Sequence, residues 1–212
     1  PEALLNYLVR LGWAHGDQEI FSKEQMIALF SSEGISRSAA SFDNDKLLWL
    51  NQHYLKSLPS DILAPALLAQ FAAHDIDVSA GPSMAQLLSV QAERRKTLVE
   101  MVEKSAYFYQ DVTDYEPKAA KKNLTKAVRE PLLAVIERLA ALSDWDGPDV
   151  HQVIIDVAQS FDLKLGKLAQ PVRVAVTGGS ASPPLDATLL FIGQQRSIER
   201  LQRAIEFIDQ LV

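Results

Sequence analysis

The sequence contains no cysteine, and this absence excludes disulfides, zinc–thiolate sites, iron–sulfur clusters and a cysteine nucleophile together. It also has no apolar run near the roughly 18 to 20 residues that a membrane-spanning helix needs, and no basic segment followed by an apolar core at its start. No membrane association is expected, and a reducing, cytoplasmic setting is. The four histidines (His15, His53, His74, His151) are scattered, without a His-x3-His pair or a His-Glu-x-x-His motif, so no metal site is expected. There is no Gly-x-x-x-x-Gly-Lys phosphate loop, no Gly-x-Gly-x-x-Gly after a strand and no Gly-x-Ser-x-Gly elbow. Nothing in the pattern binds a nucleotide by a known route, and no nucleophile–base spacing suggests a free-standing enzyme.

What is present is ordinary globular material. The 212 residues are 48% hydrophobic and 23% charged, enough for one large domain or two small ones with a real core. The net charge of −6 is uneven: −5 over residues 1–80, +2 over 81–138 and −3 over 139–212. An acidic whole argues against coating nucleic acid, DNA included, non-specifically. A local basic face remains compatible with docking on phosphates. The chain opens on Pro1 inside a helix-starting segment, from which a fragment of a longer protein is expected.

Helical spacing dominates. Leu4, Leu5, Leu8 and Leu11 fall three and four apart before Gly12. Ser22 with Gln25, and Ser83 with Gln86, have the form of capping boxes. Asp43 or Asp45 caps a segment running to Leu58 ahead of Pro59, and Ser60–Asp61 starts another to about Ala73. Residues 84–109 read as helical almost throughout, with a bend near Ala92 to Arg95. Pro117 suits a first helical turn, and Pro131 is expected to disturb the helix that follows. Helices are expected over 149–161, 167–176, 185–192 and 195–210, around a loop at Gly178-Gly179-Ser180-Ala181-Ser182-Pro183-Pro184. Strand-like alternation and βαβ rhythm are missing, so the fold class is all-α, with about ten helices.

The one concentration of positive charge is Arg94-Arg95-Lys96 with Lys104, Lys118, Lys121, Lys122 and Lys126. Guanidinium groups suit phosphates or the edge of an unpaired base, while a solvated helix face balanced by Glu93, Glu100 and Glu103 explains the same run. Tyr107-Phe108-Tyr109 offers stacking surfaces for bases, but consecutive aromatics on a helix cannot all face one ligand, and core packing explains them better. These residues alone specify an acidic helical binding module.

Specific strings go further. Pro1-Glu2-Ala3-Leu4-Leu5-Asn6-Tyr7-Leu8 running into Leu11-Gly12-Trp13, then Gly16-Asp17-Gln18-Glu19-Ile20-Phe21, resembles the segment after the second signature motif of bacterial glutamyl-tRNA synthetases. In the same order follow Phe42-Asp43, Lys46-Leu47-Leu48-Trp49-Leu50-Asn51 and Tyr54; Arg94 with Lys96-Thr97-Leu98; Ala169-Gln170-Pro171-Val172-Arg173-Val174-Ala175-Val176-Thr177-Gly178; Ser182-Pro183; and Ile192-Gly193 with Arg196-Ser197. The resemblance implies the C-terminal part of a class I glutamate-tRNA ligase: a stem-contact remainder at 1–57 and two consecutive helical anticodon-binding subdomains at 58–112 and 113–212. The family's two ATP-handling signatures (His-Ile-Gly-His-like and Lys-Met-Ser-Lys-Ser-like) occur nowhere here, so no cofactor is expected in this chain, ATP and Mg²⁺ belonging to the full-length enzyme, and the chain alone is expected to be inactive.

By the same resemblance, Arg94 reads the third anticodon base, with Arg95 the alternative if the correspondence slips by one residue. Arg173, Gln170, Ser182, Pro183 and Leu185 surround the first and second bases. Asp186 departs from members that place an aromatic nearby, which puts stacking there in doubt. Arg95, Lys96, Lys46 and Lys56 are candidates for contacts with the tRNA backbone. The implied partner is tRNA(Glu), and the implied parent a monomer. The reading of another class is a helical protein-interaction module whose basic face is incidental.

Overall fold

The computed structural model describes residues 1–36 and 39–211. Among them are twelve α-helices and no sheet; Trp13 and Ile35 form an isolated antiparallel bridge. The count exceeds ten because several helices are very short. The described residues divide into two compact units, Pro1–Gln70 with Leu87–Glu103, and Phe71–Gln86 with Lys104–Val212, drawn differently from a 1–57, 58–112, 113–212 partition.

In the first unit, α1 (Glu2–Gly12) packs on α3 (Asn44–Ser57), burying Ala3, Tyr7 and Leu50 beneath Leu11, Leu47 and Tyr54. A smaller cluster of Trp13, Phe21 and Met26 attaches α2 (Lys23–Leu29). The loop between α1 and α2 is held by fully buried Asn6, whose Nδ2 donates to the Glu19 carbonyl (2.8 Å) and whose Oδ1 accepts from Phe21 N–H (2.7 Å) and Tyr54 Oη (3.0 Å). A buried amide satisfied on both sides fixes one loop path, since any other leaves polar atoms unpaired.

The helix starts follow the local chemistry. Ser22 Oγ accepts from Gln25 N–H and Gln25 Oε1 from Ser22 N–H, a complete capping box. Ser83 and Gln86 exchange the same pair of bonds. Asp43 caps α3 by accepting from the N–H groups of Asp45 and Lys46. α4 (Ser60–Ala73) and α5 (Met84–Gln91) follow, and a 3-10 turn at Ala92–Arg94 supplies the expected bend. Beyond it, α6 (Leu98–Glu103) stops well before 109: Ser105 is buried and Ala106–Phe108 tightens into another 3-10 turn.

The second unit is a bundle of α7 (Pro117–Asn123), α8 (Arg129–Ala140), α9 (Gly147–Ser160), α10 (Leu165–Thr177), α11 (Leu185–Ile192) and α12 (Gln194–Asp209). Pro131 does not disturb α8. The helix begins at Arg129, so the proline lies in the first turn, where its missing N–H has no intrahelical acceptor to lose. α9 shows the spacing of a one-sided helix: Val150, Val153, Ile154 and Val157 are buried at i, i+3, i+4 and i+7. α10 packs against α7, α8, α9, α11 and α12, and Leu168, Val172, Val174, Ala175 and Val176 are wholly inaccessible. At roughly 1.5 to 3 kcal/mol per large apolar side chain, this buried run anchors the unit. Its polar edge, Gln170, Arg173 and Thr177, recurs at three and four residues.

The aromatic triplet is core. Phe108 is inaccessible, Tyr109 stacks edge-on against Phe71 at 4.9 Å between centroids, and its Oη donates to the Pro82 carbonyl at 2.8 Å. Burial pushes that phenol's pKa well above its ordinary value of 10.

Candidate functional site

The polar edge of α10 leads directly into the 177–185 loop, which is closed from within. α10 ends on Gly178, in the left-handed region at φ +78°, with its N–H donating to the Val174 carbonyl. A Cβ there would lie 2.9 Å from the Asp114 carbonyl oxygen and 3.0 Å from Val112 Cγ1, so glycine is required twice over. Its carbonyl accepts from Glu116 N–H at 2.8 Å, attaching the loop to the start of α7. Thr177 Oγ1 donates back to the Arg173 carbonyl (2.8 Å) and accepts from Gly179 N–H (3.3 Å).

Arg173 reaches across the loop's mouth: its Nη1 donates to Ser182 Oγ and to the Pro183 carbonyl, the latter at 2.7 Å. Ser182 Oγ lies 3.0 Å from Thr188 Oγ1, and Thr188 donates to the Pro184 carbonyl at 2.9 Å. Ser182 and Thr188 are almost inaccessible, Pro183 is buried, and Leu185 is half-buried at the start of α11. The sequence reading placed Arg173, Ser182 and Pro183 at one site, and the fold brings them into contact. It directs one face of the guanidinium inward, to hold loop shape. Gln170 stands one turn earlier on α10 and is exposed.

The second candidate cluster lies in the other unit. The 92–97 turn is pinned to α3 by Gln52 Nε2 donating to the Glu93 carbonyl (3.2 Å) and Asn51 Nδ2 donating to the Lys96 carbonyl (2.5 Å). Glu100 pins it from α6: one oxygen accepts from Lys96 N–H at 2.9 Å, and the other stands 3.6 Å from Arg95 Nη1. Arg95 is thereby laid down, its side chain 12% exposed, whereas neighbouring Arg94 projects into solvent, as does Lys96.

Lys46 sits in an ion triad, 2.8 Å from Glu19, which also binds Arg10 at 2.8 Å. The hydrogen bonds from Arg10 and then Lys46 hold the Glu19 carboxyl below its ordinary pKa. Lys56 is exposed in the last turn of α3, where a cation suits the helix dipole. The expected basic concentration is split: Arg94 to Lys96 belong to one unit, Lys118 to Lys126 to the other.

Sequence reasoning missed Arg200. It is 1% exposed, and its Nη1 and Nη2 donate to the carbonyls of Val176 (2.6 Å) and Gln110 (2.9 Å), with Asp111 3.9 Å away. Burial lowers its pKa to about 10, with Arg196 adding repulsion. The signal was available, because Arg200, Ala204 and Ile208 share one helical stripe of α12.

Among the described residues no three His, Cys, Asp or Glu side chains converge as metal ligands, and no helix is long and apolar enough to cross a membrane.

Comparison with known proteins gives a consistent picture. The family model described as an anticodon binding domain matches residues 61–205, and that of the class I (E and Q) tRNA synthetase catalytic domain matches residues 1–49. The chain is 54% identical over 210 residues to glutamate–tRNA ligase 2 of Coxiella burnetii and 51% identical over 208 residues to glutamate–tRNA ligase of Legionella pneumophila. These alignments cover 99% and 98% of this chain but 45% and 44% of those proteins, so the chain spans a little under half their length. The solved glutamate tRNA ligase of Elizabethkingia meningosepticum, in complex with its amino acid, superposes with a TM-score of 0.90 at 25% identity, over 98% of this chain and 41% of that one. The glutamate-tRNA synthetase of Elizabethkingia anophelis gives 0.83 at 26%, over 97% and 40%.

Proposed function

Since the chain belongs to the anticodon-binding family of the glutamate–tRNA ligases, we propose that it binds tRNA(Glu) and reads its anticodon as the C-terminal part of such a ligase. The observation that carries this reading is the internally tied 177–185 loop. Arg173 holds Ser182 and Pro183 in place, so that Gln170, Leu185 and the outer face of the loop meet unstacked first and second anticodon bases on a preformed surface. A surface set before binding loses less ordering entropy when RNA arrives.

Arg94 reads the third base. Its turn is fixed by Asn51, Gln52 and Glu100 while its side chain stays exposed, and a guanidinium fork matches a base edge bidentately. Arg95 supports that turn, and Lys96 and Lys56 meet backbone phosphates; Lys46 joins them only by leaving Glu19. Residues 1–57 form the stem-contact region in this reading, and the parent is a monomeric cytoplasmic enzyme. Neither ATP signature occurs in the sequence, and no step through ATP or Mg²⁺ is assigned to these residues.

The test is binding to glutamate-specific and glutamine-specific tRNA transcripts at two salt concentrations. Arg94→Ala should erase the preference for the glutamate transcript, a change of about 1 to 3 kcal/mol for one bidentate contact. Equal binding of both transcripts by the unaltered chain would refute base reading. Salt-insensitive association would favour a protein-interaction module instead.

A further inference from the structure

α7 and the start of α10 enclose an open groove of about 1060 Å³ in the second unit. Lys118 and Lys122, one turn apart on α7, line one wall, and Lys164 and Lys167 line the other. Its floor includes Ala119 and Pro171, and Gln170 and Ser180 complete its rim. All four lysines are exposed, and among the described residues none of them pairs with a carboxylate. Glu116 is the one acidic side chain in the lining, so a local surplus of three positive charges sits in a chain of net −6.

That surplus has no structural use in the fold. Lys118 and Lys122 at i, i+4 repel each other, and Lys164 and Lys167 occupy the cap and first turn of α10, where the helix dipole favours anions over cations. Both arrangements cost stability in the free chain and are relieved by a polyanion. The groove is open to solvent along its length and presents four cations, which matches an extended polyanion better than a single small acid. It is also continuous with the reading loop: Ser180 belongs to both, and Glu116 N–H is bonded to the Gly178 carbonyl.

From this placement we infer that the groove is the phosphate track of the anticodon loop: Lys118, Lys122, Lys164 and Lys167 neutralise the sugar–phosphate backbone of the nucleotides whose bases meet Gln170 and the 177–185 loop. The inference rests on the RNA-binding reading above and adds to it the residues that set affinity without setting sequence. Phosphate contacts fix register and orientation, while base-edge contacts discriminate.

The experiment measures the salt dependence of binding to the glutamate-specific tRNA transcript for the unaltered chain, for the quadruple variant K118Q/K122Q/K164Q/K167Q, and for K121Q/K126Q, whose lysines line a separate cavity with Tyr115 and Phe207. Each single-strand phosphate contact contributes about 0.7 to the slope of log K against log salt, so the quadruple variant should lose up to about 2.8. A fourfold rise in salt then costs it about 50-fold less affinity than it costs the unaltered chain. K121Q/K126Q should keep the original slope, and the ratio of glutamate to glutamine transcript binding should survive in the quadruple variant. Circular dichroism melts establish that each variant is folded, which exposed lysines should allow. If the quadruple variant keeps the original slope, or K121Q/K126Q loses as much per lysine, the groove is not the track. If the unaltered chain binds neither transcript, the RNA-binding reading fails, and this inference with it.

Discussion

Arg200 provides a quantitative test of how the second unit holds the end of α10. The buried guanidinium donates to the carbonyls of Val176 and Gln110, and its nearest carboxylate, Asp111, is 3.9 Å away and largely exposed. Three terms decide the effect of replacing it. The two charge-assisted hydrogen bonds are worth about 4 kcal/mol together. The packed alkyl stem adds about 2 kcal/mol at about 0.8 kcal/mol per methylene. Against these stands the cost of burying a charge, which lowers the Arg200 pKa from 12.5 to about 10 and corresponds to about 3 kcal/mol. Arg200→Ala loses both favourable terms and is relieved of the third, so it should destabilise by about 3 kcal/mol. Arg200→Met keeps the packing as well as the relief and should cost only about 1 kcal/mol. Arg200→Lys retains a buried charge without a fork that reaches both carbonyls, and should be no better than alanine. At 2 to 4 °C per kcal/mol for a chain of this size, melting points should fall by about 9 °C for alanine and about 3 °C for methionine. Thermal and urea unfolding followed by circular dichroism measures all three. If lysine is tolerated better than methionine, charge rather than fork geometry and volume is what the position requires, and the reasoning fails.

Gly178→Ala should lower stability by about 3 kcal/mol, combining left-handed backbone cost with contacts at 2.9 and 3.0 Å against Asp114 and Val112; a loss below about 0.5 kcal/mol by urea unfolding would show that the turn relaxes freely. The chain should also lose stability above pH 10. Burial raises the pKa values of Tyr109, Tyr115 and Tyr54, so the folded state keeps phenolic protons that the unfolded chain releases. The stability present below pH 10 is therefore lost as pH rises past it, partly offset by Arg200, which titrates in the opposite sense. Tyr109→Phe should cost about 1 kcal/mol at pH 7, through the lost bond to Pro82, yet flatten the decline between pH 9 and 11 in urea midpoints; an unchanged slope would mean that Tyr109 ionises freely in the fold.

The helices were legible where local chemistry decides them. The capping pairs Ser22–Gln25 and Ser83–Gln86 form the bonds their spacing implies, and the helix expected over 149–161 is α9, with its apolar residues buried at helical spacing. Legibility failed where the deciding partner is distant in sequence. Pro131 reads as a disturbance until α8 is found to start at Arg129. Residues 87–103 pack with residues 1–70, and only tertiary contacts reveal it. Lys118 and Lys122 stood out within a basic run, but Lys164 and Lys167 did not, because the groove that makes them one site joins helices far apart in the chain.

The arginines make the same point at the level of a single residue type. Arg94 and Arg95 are adjacent and equivalent by composition. Glu100 stands 3.6 Å from Arg95, whose side chain is 12% exposed, while the Arg94 residue is exposed, so adjacent arginines differ in environment. Arg173 ties the loop through Nη1, which donates to Ser182 and to the Pro183 carbonyl, and Arg200 is buried almost entirely. The same fork is exposed at Arg94, a loop tie at Arg173 and a core staple at Arg200, according to which carbonyls and carboxylates the packing presents. Charge counted along the sequence locates basic surface only to the extent that the fold leaves it unoccupied. By that criterion the available charge of the second unit lies on exposed lysines, four of which share the groove beside Gln170, rather than on its tied Arg173 and buried Arg200.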